Sequence, residues 1–196
     1  MYFVIKIELT DISNPKIWRR IKVPGHYTFD QLHHVIQAAM GWQDIHLYRF
    51  MENDIYDTIT LSSPYDEDYG INAETVKIDN LLFQFHDTGC MDRARKKLKY
   101  WYDYGDSWLH EIDVEEVIYE DLPQAKIVAG KGACPPENCG GTSGFEDIKE
   151  SLRTGAPSVI HNESWVPWLE GCGYKGYDPD VYDIKAARRG VKKVGG

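Results

Sequence analysis

The sequence predicts an α+β fold with a mixed or antiparallel sheet that carries a helix on one face. The N-terminal third alternates between apolar and polar residues and then changes to a helical period, which indicates a strand-strand-helix-strand unit. The middle of the chain predicts an aromatic β-hairpin, and the C-terminal part is rich in loops with short helical patterns. We expect one domain, in which about residues 1–120 form a sheet-and-helix core and about residues 121–196 form a cap packed on it.

Three strands are predicted in the N-terminal unit. Residues 2–9 and 17–23 alternate in polarity on either side of a turn, and they should pair antiparallel. After the helix, residues 46–51 form the third strand, and a short strand at residues 75–78 follows an acidic surface loop at residues 62–73. Because alternating strands bury one face, we expect the helix of this unit to cover that face of the sheet.

The predicted helix has clear signals at both ends. Thr28 and Gln31 form a capping box at its start, and Gly41 ends it. His33 lies at the edge of the apolar stripe, where a partly buried, hydrogen-bonded histidine is favoured over a ligand, and His34 is expected to point to solvent. The residues of the stripe are Phe29, Leu32, Val35, Ile36, Ala39 and Met40.

The C-terminal cap is predicted to contain two helices. Residues 122–142 are dense in Pro, Gly and Cys and indicate an ordered loop. Ser143 and Glu146 resemble a second capping box for a helix over about residues 144–152, and a final helix is expected over about residues 178–189. Between these helices, the expected packing anchors are Trp165, Trp168 and Leu169.

The central hairpin is where we look for a polar site. A two-residue loop at Gly105 and Asp106 would place Asp103 opposite Trp108 and Trp101 opposite His110. This register puts Asp103 and His110 on the same face as the two indoles, close enough for their side chains to meet. The predicted binding or polar site comprises Trp101, Asp103, Asp106, Trp108 and His110, with His46 from the third strand.

Composition limits the classes of partner. A net charge of −9 disfavours broad binding to nucleic acid, which depends on clustered Lys and Arg. The beginning of the chain does not resemble a signal peptide and no apolar run is long enough for a membrane span, so a cytoplasmic location without membrane contact is expected. A basic tract precedes the hairpin and consists of Arg93, Arg95, Lys96, Lys97 and Lys99. It is interpreted either as a solvent-exposed segment leading into the strand or as a contact for an anion or nucleic acid.

The four cysteines allow three interpretations. Cys90, Cys134, Cys139 and Cys172 would be reduced structural thiols, two disulfides or one metal site. A reducing compartment disfavours disulfides, and only Cys134 and Cys139 resemble a ligand pair with the spacing of a zinc ribbon. Reduced structural thiols are therefore favoured.

Five motifs along the chain carry a family resemblance. They are PKIWRR at residues 15–20, TFxxLH at 28–33, GWxxxHL at 41–47, YDYGDSWxH at 102–110 and CPPENCGG at 134–141. Together they resemble the plasmid open-reading-frame-three-like family, named after a protein encoded on a Ri plasmid. The resemblance implies an α+β fold and an association of some members with mobile elements, but it supplies no catalytic residue, cofactor or substrate. Asn138 stands where related proteins commonly have an acidic residue.

Three functions are compatible with these residues. A non-enzymatic interaction or accessory module with a protein partner is favoured, and nucleic-acid binding through the aromatic hairpin and basic tract is an alternative. A metal-dependent hydrolase is the third, with His46, Asp103, Asp106 and His110 as its polar cluster. No cofactor is assigned, and the candidate metal ligands are His46, Asp103, His110, Cys134 and Cys139.

Overall fold

The computed structural model of the chain describes residues 1–52, 59–66, 70–85 and 98–194, and within them eight strands form one mixed sheet. The strands are β1 (Tyr2–Leu9), β2 (Trp18–Pro24), β3 (Tyr48–Met51), β4 (Thr60–Ser62), β5 (Ile71–Asn72), β6 (Leu98–Tyr102), β7 (Trp108–Ile118) and β8 (Lys126–Lys131). Their spatial order is β5-β4-β3-β6-β7-β1-β2-β8, and all neighbours pair antiparallel except β4 and β5. The helices are α1 (Phe29–Met40), α2 (Gly141–Thr154), α3 (Trp165–Gly171) and α4 (Ile184–Val191). The predicted α+β class is confirmed.

Helix α1 covers one face of the sheet, and its predicted caps are present. The hydroxyl of Thr28 accepts a hydrogen bond from the Gln31 N–H, and the Gln31 side chain accepts one from the Thr28 N–H. Gly41 ends the helix in the left-handed conformation, with φ 96°. Phe29 and Phe50 meet edge to face across the helix-sheet interface, with ring centroids 5.1 Å apart. The apolar stripe predicted from the sequence is therefore the buried face of α1.

The predicted hairpin forms, but its register differs by one residue. Tyr102 pairs with Trp108 and Tyr100 pairs with His110, because the loop contains five residues instead of two. Asp103 starts that loop with φ 55°, and its Oδ1 accepts hydrogen bonds from the backbone N–H groups of Gly105 and Asp106. Side-chain capping of this kind favours a longer turn over the two-residue loop. The prediction that Trp101 and Asp103 share a strand face with Trp108 and His110 is therefore wrong.

The C-terminal part differs from the prediction in three places. Residues 126–131, predicted as loop, form the edge strand β8 beside β2. Helix α2 begins at Gly141 after the left-handed Gly140, and the Ser143 hydroxyl donates to the Gly140 carbonyl instead of accepting from a capping N–H. Helix α4 begins at Ile184, where Asp183 caps it, and not after residue 178. Of the expected anchors, Trp165 and Leu169 are buried and Trp168 is partly buried.

Smaller differences concern the segment before the hairpin. The strand predicted at residues 75–78 does not form: residue 75 ends one short 3₁₀ helix (73–75), residue 78 begins another (78–80), and Lys77 between them makes only an isolated bridge with Thr28. The acidic loop contributes β5 to the sheet edge, and its residues 67–69 lie outside the described residues.

Within the part of the chain that the structure describes, no helix is both long and apolar enough to cross a membrane.

Candidate functional site

A cleft of about 500 Å³ opens beside α1, and histidine and carboxylate side chains line it. His33 and His34 come from α1, and Asp44 comes from the loop that follows the helix. Apolar side chains stand at the cleft and are exposed to solvent: Ile45, Leu47 and Tyr65. A polar cluster with apolar neighbours is typical of a ligand site.

Asp44 joins the two histidines. Its Oδ1 lies 2.6 Å from His33 Nε2, and its Oδ2 lies 2.9 Å from His34 Nδ1. One ligand atom of each of the three residues can be chosen so that all three lie within 4.8 Å of one another. Among the described residues this is the one group of three or more His, Cys, Asp or Glu side chains with that proximity. Two imidazole nitrogens and one carboxylate are therefore close enough to share one ligand.

His33 is held rigidly inside the protein. Its ring stacks on Tyr48 at a centroid distance of 3.6 Å, and the side chain is almost fully buried. Nδ1 of His33 lies 2.8 Å from the Tyr100 hydroxyl oxygen, which is also 2.9 Å from the Gln37 amide nitrogen. Burial lowers the pKa of His33 despite its hydrogen bond to Asp44, so the ring is neutral at pH 7.

The chain from Gln37 through Tyr100 to His33 also sets the tautomer of the imidazole. With the Gln37 amide as placed, its Oε1 has no hydrogen-bond partner among the described residues. The Gln37 NH₂ group donates to the Tyr100 hydroxyl oxygen, the Tyr100 hydroxyl donates to His33 Nδ1, and the His33 Nε2–H donates to Asp44 Oδ1. A metal ion on Nε2 would replace that proton, and the ring would then donate its Nδ1–H to Tyr100, as metal-bound histidines usually donate their other ring N–H.

His34 carries the positive charge of the cluster. Its Nδ1 contacts Asp44, and its Nε2 lies 3.3 Å from Asp30 Oδ2, so the ring bridges two carboxylates. The hydrogen bonds to Asp30 and Asp44 raise the pKa of His34 to about 10. Burial opposes ionisation of Asp44, but the hydrogen bonds from His33 and His34 outweigh it and hold the pKa of this carboxyl well below its ordinary range. His34 is exposed to solvent as predicted, but it is also paired with two carboxylates, which the sequence did not indicate.

The predicted pair of Asp103 and His110 is replaced by a different one. Asp103 Oδ2 lies 3.3 Å from Nε2 of His46, which also lines the cleft. Nδ1 of His110 lies 3.2 Å from the carbonyl oxygen of Tyr100, so this ring donates to backbone instead. Asp106 accepts a hydrogen bond from the backbone N–H of residue 140 through its carboxylate. The one-residue change of register separates the acid from the imidazole that was expected to meet it.

The aromatic part of the predicted site is mostly structural. Trp108 and His110 are buried, so neither side chain is available for stacking on a base. Trp101 is half-buried against Tyr104, with ring centroids 4.7 Å apart. Lys99 lies in β6. The other members of the basic tract, Arg93, Arg95, Lys96 and Lys97, lie outside the described residues.

The cysteines that the structure describes are free thiols. Cys134 and Cys139 are buried, and burial raises the pKa of both, so they stay protonated at neutral pH. Cys172 is exposed at the end of α3, and Cys90 lies outside the described residues. Within those residues, Cys134 and Cys139 belong to no group of metal-ligating side chains.

Two residues of the cleft, His34 and Asp44, were missed by reasoning from the sequence. A signal was present, because two adjacent histidines precede the helix-ending Gly41 and an aspartate follows it by three residues. A chain that reverses at a left-handed glycine can return a following side chain to the helix it has just left. The sequence gives no measure of that reversal, so it does not place Asp44 beside the two histidines.

Comparison with known proteins agrees with the motifs. The sequence matches the family described as plasmid pRiA4b ORF-3-like protein over residues 1–186. It is 34% identical to the uncharacterized protein y4hQ of Sinorhizobium fredii (strain NBRC 101917 / NGR234) over 192 residues, which covers 96% of this chain and 90% of that protein. The fold is similar to the crystal structure of MM3350, a protein of unknown function from Methanosarcina mazei Go1, with 30% identity, a TM-score of 0.71, and coverage of 94% of this chain and 95% of that one. This chain therefore belongs to the plasmid pRiA4b ORF-3-like family.

Proposed function

We propose that this chain binds a divalent transition-metal ion, with His33, His34 and Asp44 as ligands. The observation that carries the proposal is the convergence of two imidazoles and one carboxylate within 4.8 Å at the cleft. Imidazole nitrogen suits zinc, cobalt and nickel, whereas calcium and magnesium prefer sites built from oxygen alone. The expected ion is therefore a first-row ion such as Zn²⁺.

The size and charge of the cluster support a cation. Zinc bonds of roughly 2.0–2.1 Å place tetrahedral ligand atoms about 3.4 Å apart, so an ion fits between the three residues after small side-chain movements. It would displace the two hydrogen bonds that Asp44 now makes to the histidines. The carboxylates of Asp30 and Asp44 already surround one positive charge, and a bound ion would take over that role from the His34 imidazolium.

The chemistry that follows from such a site is hydrolysis. Three protein ligands leave a coordination position for water, and a metal lowers the pKa of bound water enough to make it a nucleophile near neutral pH. The exposed side chains of Ile45, Leu47 and Tyr65 would then contact the apolar part of a small substrate. In this proposal the metal-dependent hydrolase, an alternative that the sequence left open, uses a different ligand set, and His46 lines the cleft beside the ligands without being one.

Metal binding is tested by titrating Co²⁺ into protein purified without a histidine tag and stripped with a chelator. We expect one equivalent to bind and to give the visible absorption bands of a nitrogen-and-oxygen site. Single replacements His33→Ala, His34→Ala and Asp44→Ala should each weaken binding by more than the roughly 10- to 100-fold that loss of an outer-shell partner costs. His26→Ala, at an exposed histidine outside the cleft, is the matched control. Absence of binding, or equal binding by all four variants, would contradict the proposal.

An accessory, protein-interaction role is the second candidate function, and a different surface favours it. Val159, Ile160 and Val166 are exposed apolar side chains that are the sequence neighbours of Ser158, His161 and Trp165, which line a groove of about 360 Å³ together with Trp168. Clustered exposed apolar side chains commonly mark protein interfaces.

The simplest partner for that surface is a second copy of this chain, since most oligomers are homo-oligomers. Sedimentation velocity over a wide concentration range should then show a dimer that Val159→Lys converts to monomer. Val181→Lys, at an exposed valine outside the groove, should leave the dimer intact. A wild-type protein that stays monomeric throughout would reject this interface.

A further inference from the structure

Asp44 has an unusual backbone conformation that needs support. Its φ is 59°, in the left-handed region that non-glycine residues seldom occupy. The N–H groups on both sides of it are fixed by side chains from distant parts of the chain. The Gln43 N–H donates to Glu137 Oε2 at 2.9 Å, and the Ile45 N–H donates to the Tyr102 hydroxyl oxygen at 3.2 Å.

Glu137 and Tyr102 form one unit. The Tyr102 hydroxyl donates to Glu137 Oε1 at 2.5 Å, so the carboxylate accepts one hydrogen bond through each oxygen. Glu137 is buried, and no cationic side chain pairs with it among the described residues. A buried carboxylate is costly unless hydrogen bonds satisfy it, which indicates that these contacts are specific.

The loop that carries Glu137 is itself fixed against the same region. Trp42 Nε1–H donates to the Pro135 carbonyl at 2.9 Å, and the Glu137 N–H donates to the Tyr174 hydroxyl at 3.1 Å. The CPPENCGG motif is therefore docked onto the GWxxxHL motif, with the Asp44 backbone between Glu137 and Tyr102. Three of the five sequence motifs meet at this point.

We propose that Glu137 is a positioning residue for the metal site, holding residues 43–45 together with Tyr102 so that the Asp44 carboxylate faces His33 and His34. This inference rests on the proposed metal-binding function. It assigns the buried acid of the CPPENCGG motif to the support of a ligand and not to metal binding or catalysis.

Two acceptor oxygens are required in this arrangement. A glutamine at position 137 offers only one, so its NH₂ group would face either the Gln43 N–H or the proton of Tyr102. Either outcome leaves a buried donor without an acceptor and loosens one side of the Asp44 turn. Phenylalanine at position 102 has a related effect, because it removes the acceptor for the Ile45 N–H and the donor to Glu137.

The experiment compares Co²⁺ affinity and amide hydrogen exchange in Glu137→Gln, Tyr102→Phe and the wild type. We expect both variants to bind Co²⁺ roughly 10- to 100-fold more weakly, as loss of an outer-shell partner does elsewhere. In metal-free protein the amides of Gln43 and Ile45 should exchange faster. Glu170→Gln, at an exposed glutamate of α3, is the control and should change neither measurement. Glu137→Asp keeps both oxygens and should recover part of the affinity.

The possible results separate the two proposals. If the wild type binds Co²⁺ and Glu137→Gln binds it equally well, the positioning role is wrong and the metal site stands. If the wild type binds no Co²⁺, both proposals are overturned. If Glu137→Gln fails to fold, Tyr102→Phe tests the positioning role instead, because this variant removes one hydroxyl and keeps the ring. Unchanged Co²⁺ affinity in Tyr102→Phe would then reject the positioning role.

Discussion

Replacing Arg19 by methionine is expected to lower the free energy of unfolding by about 3 kcal/mol, because three hydrogen bonds from a charged donor to backbone carbonyls are lost. The guanidinium of Arg19 is fully buried. The sequence does not indicate this, because Arg19 is there only one of two adjacent arginines in a predicted strand. It donates to the carbonyls of Ala39, Trp18 and Lys131, at 2.8–2.9 Å, and its central carbon lies 3.7 Å from the centroid of the Tyr182 ring.

The physical reason is that Arg19 ties the C-terminal end of α1 to the edge of the sheet. Ala39 is in the last turn of α1, where carbonyls lack helical partners and the helix dipole favours a cation. Methionine has a similar length but donates no hydrogen bonds. The carbonyls of Trp18 and Lys131 therefore lose this donor, and the Ala39 carbonyl keeps only the Tyr182 hydroxyl; a lost hydrogen bond to a charged group costs about 1.5–3 kcal/mol. Lysine keeps the charge but not the planar fork, so Arg19→Lys should also be strongly destabilising.

Arg20→Met is the matched control. Arg20 is the next residue of β2 and pairs with Glu115 on the other face of the sheet, where both side chains are partly exposed. Exposed ion pairs contribute about 0–1 kcal/mol, so this change should be small. Urea unfolding of both variants measures the difference directly. Equal losses in the two variants, or a loss below about 1 kcal/mol at Arg19, would contradict the structural role.

Acidification from pH 6.5 to pH 4 is expected to remove about 3 kcal/mol of stability through His110 alone. Burial lowers the pKa of His110 to about 4, from an ordinary value of 6.5. Its Nδ1–H donates to the Tyr100 carbonyl, and its Nε2 has no hydrogen-bond partner among the described residues. A proton on Nε2 would therefore be a buried charge without an acceptor.

The direction of the effect follows from proton binding in the two states. Between pH 4 and pH 6.5 the unfolded chain takes up a proton at His110 and the folded chain does not, so acid favours unfolding. The contribution is complete above pH 6.5 and disappears as the pH falls through this range to the folded value of about 4.

His110→Gln should flatten this part of the stability curve. We expect the variant to lose about 3 kcal/mol less than the wild type between pH 6.5 and pH 4, whatever its stability at neutral pH. His26→Gln, at an exposed histidine, should follow the wild-type curve. The wild type and His110→Gln share all other titrating groups, so the difference between these two curves isolates His110. Parallel curves for His110→Gln and the wild type would reject the prediction.

Local signals were sufficient for the N-terminal unit. The capping box of Thr28 and Gln31, the ending at Gly41 and the alternation of β1 each depend on residues close in sequence. The same reasoning failed for the hairpin register, because Asp103 uses its own side chain to stabilise a longer loop. Since strand faces alternate, that one difference moved Trp101 away from the face that Trp108 and His110 occupy.

By itself, the sequence determined the α+β class, helix α1 with its buried face, and membership of the family through five ordered motifs. Only the tertiary structure decided which polar groups meet. Asp44 reaches His33 and His34 because its backbone turns left-handed between contacts from Tyr102 and Glu137, which are about 60 and 90 residues away in the chain. The hydrophobic periodicity of a sequence indicates the environment of one helix or strand at a time. A site of this kind depends on side chains from three separate segments of the chain.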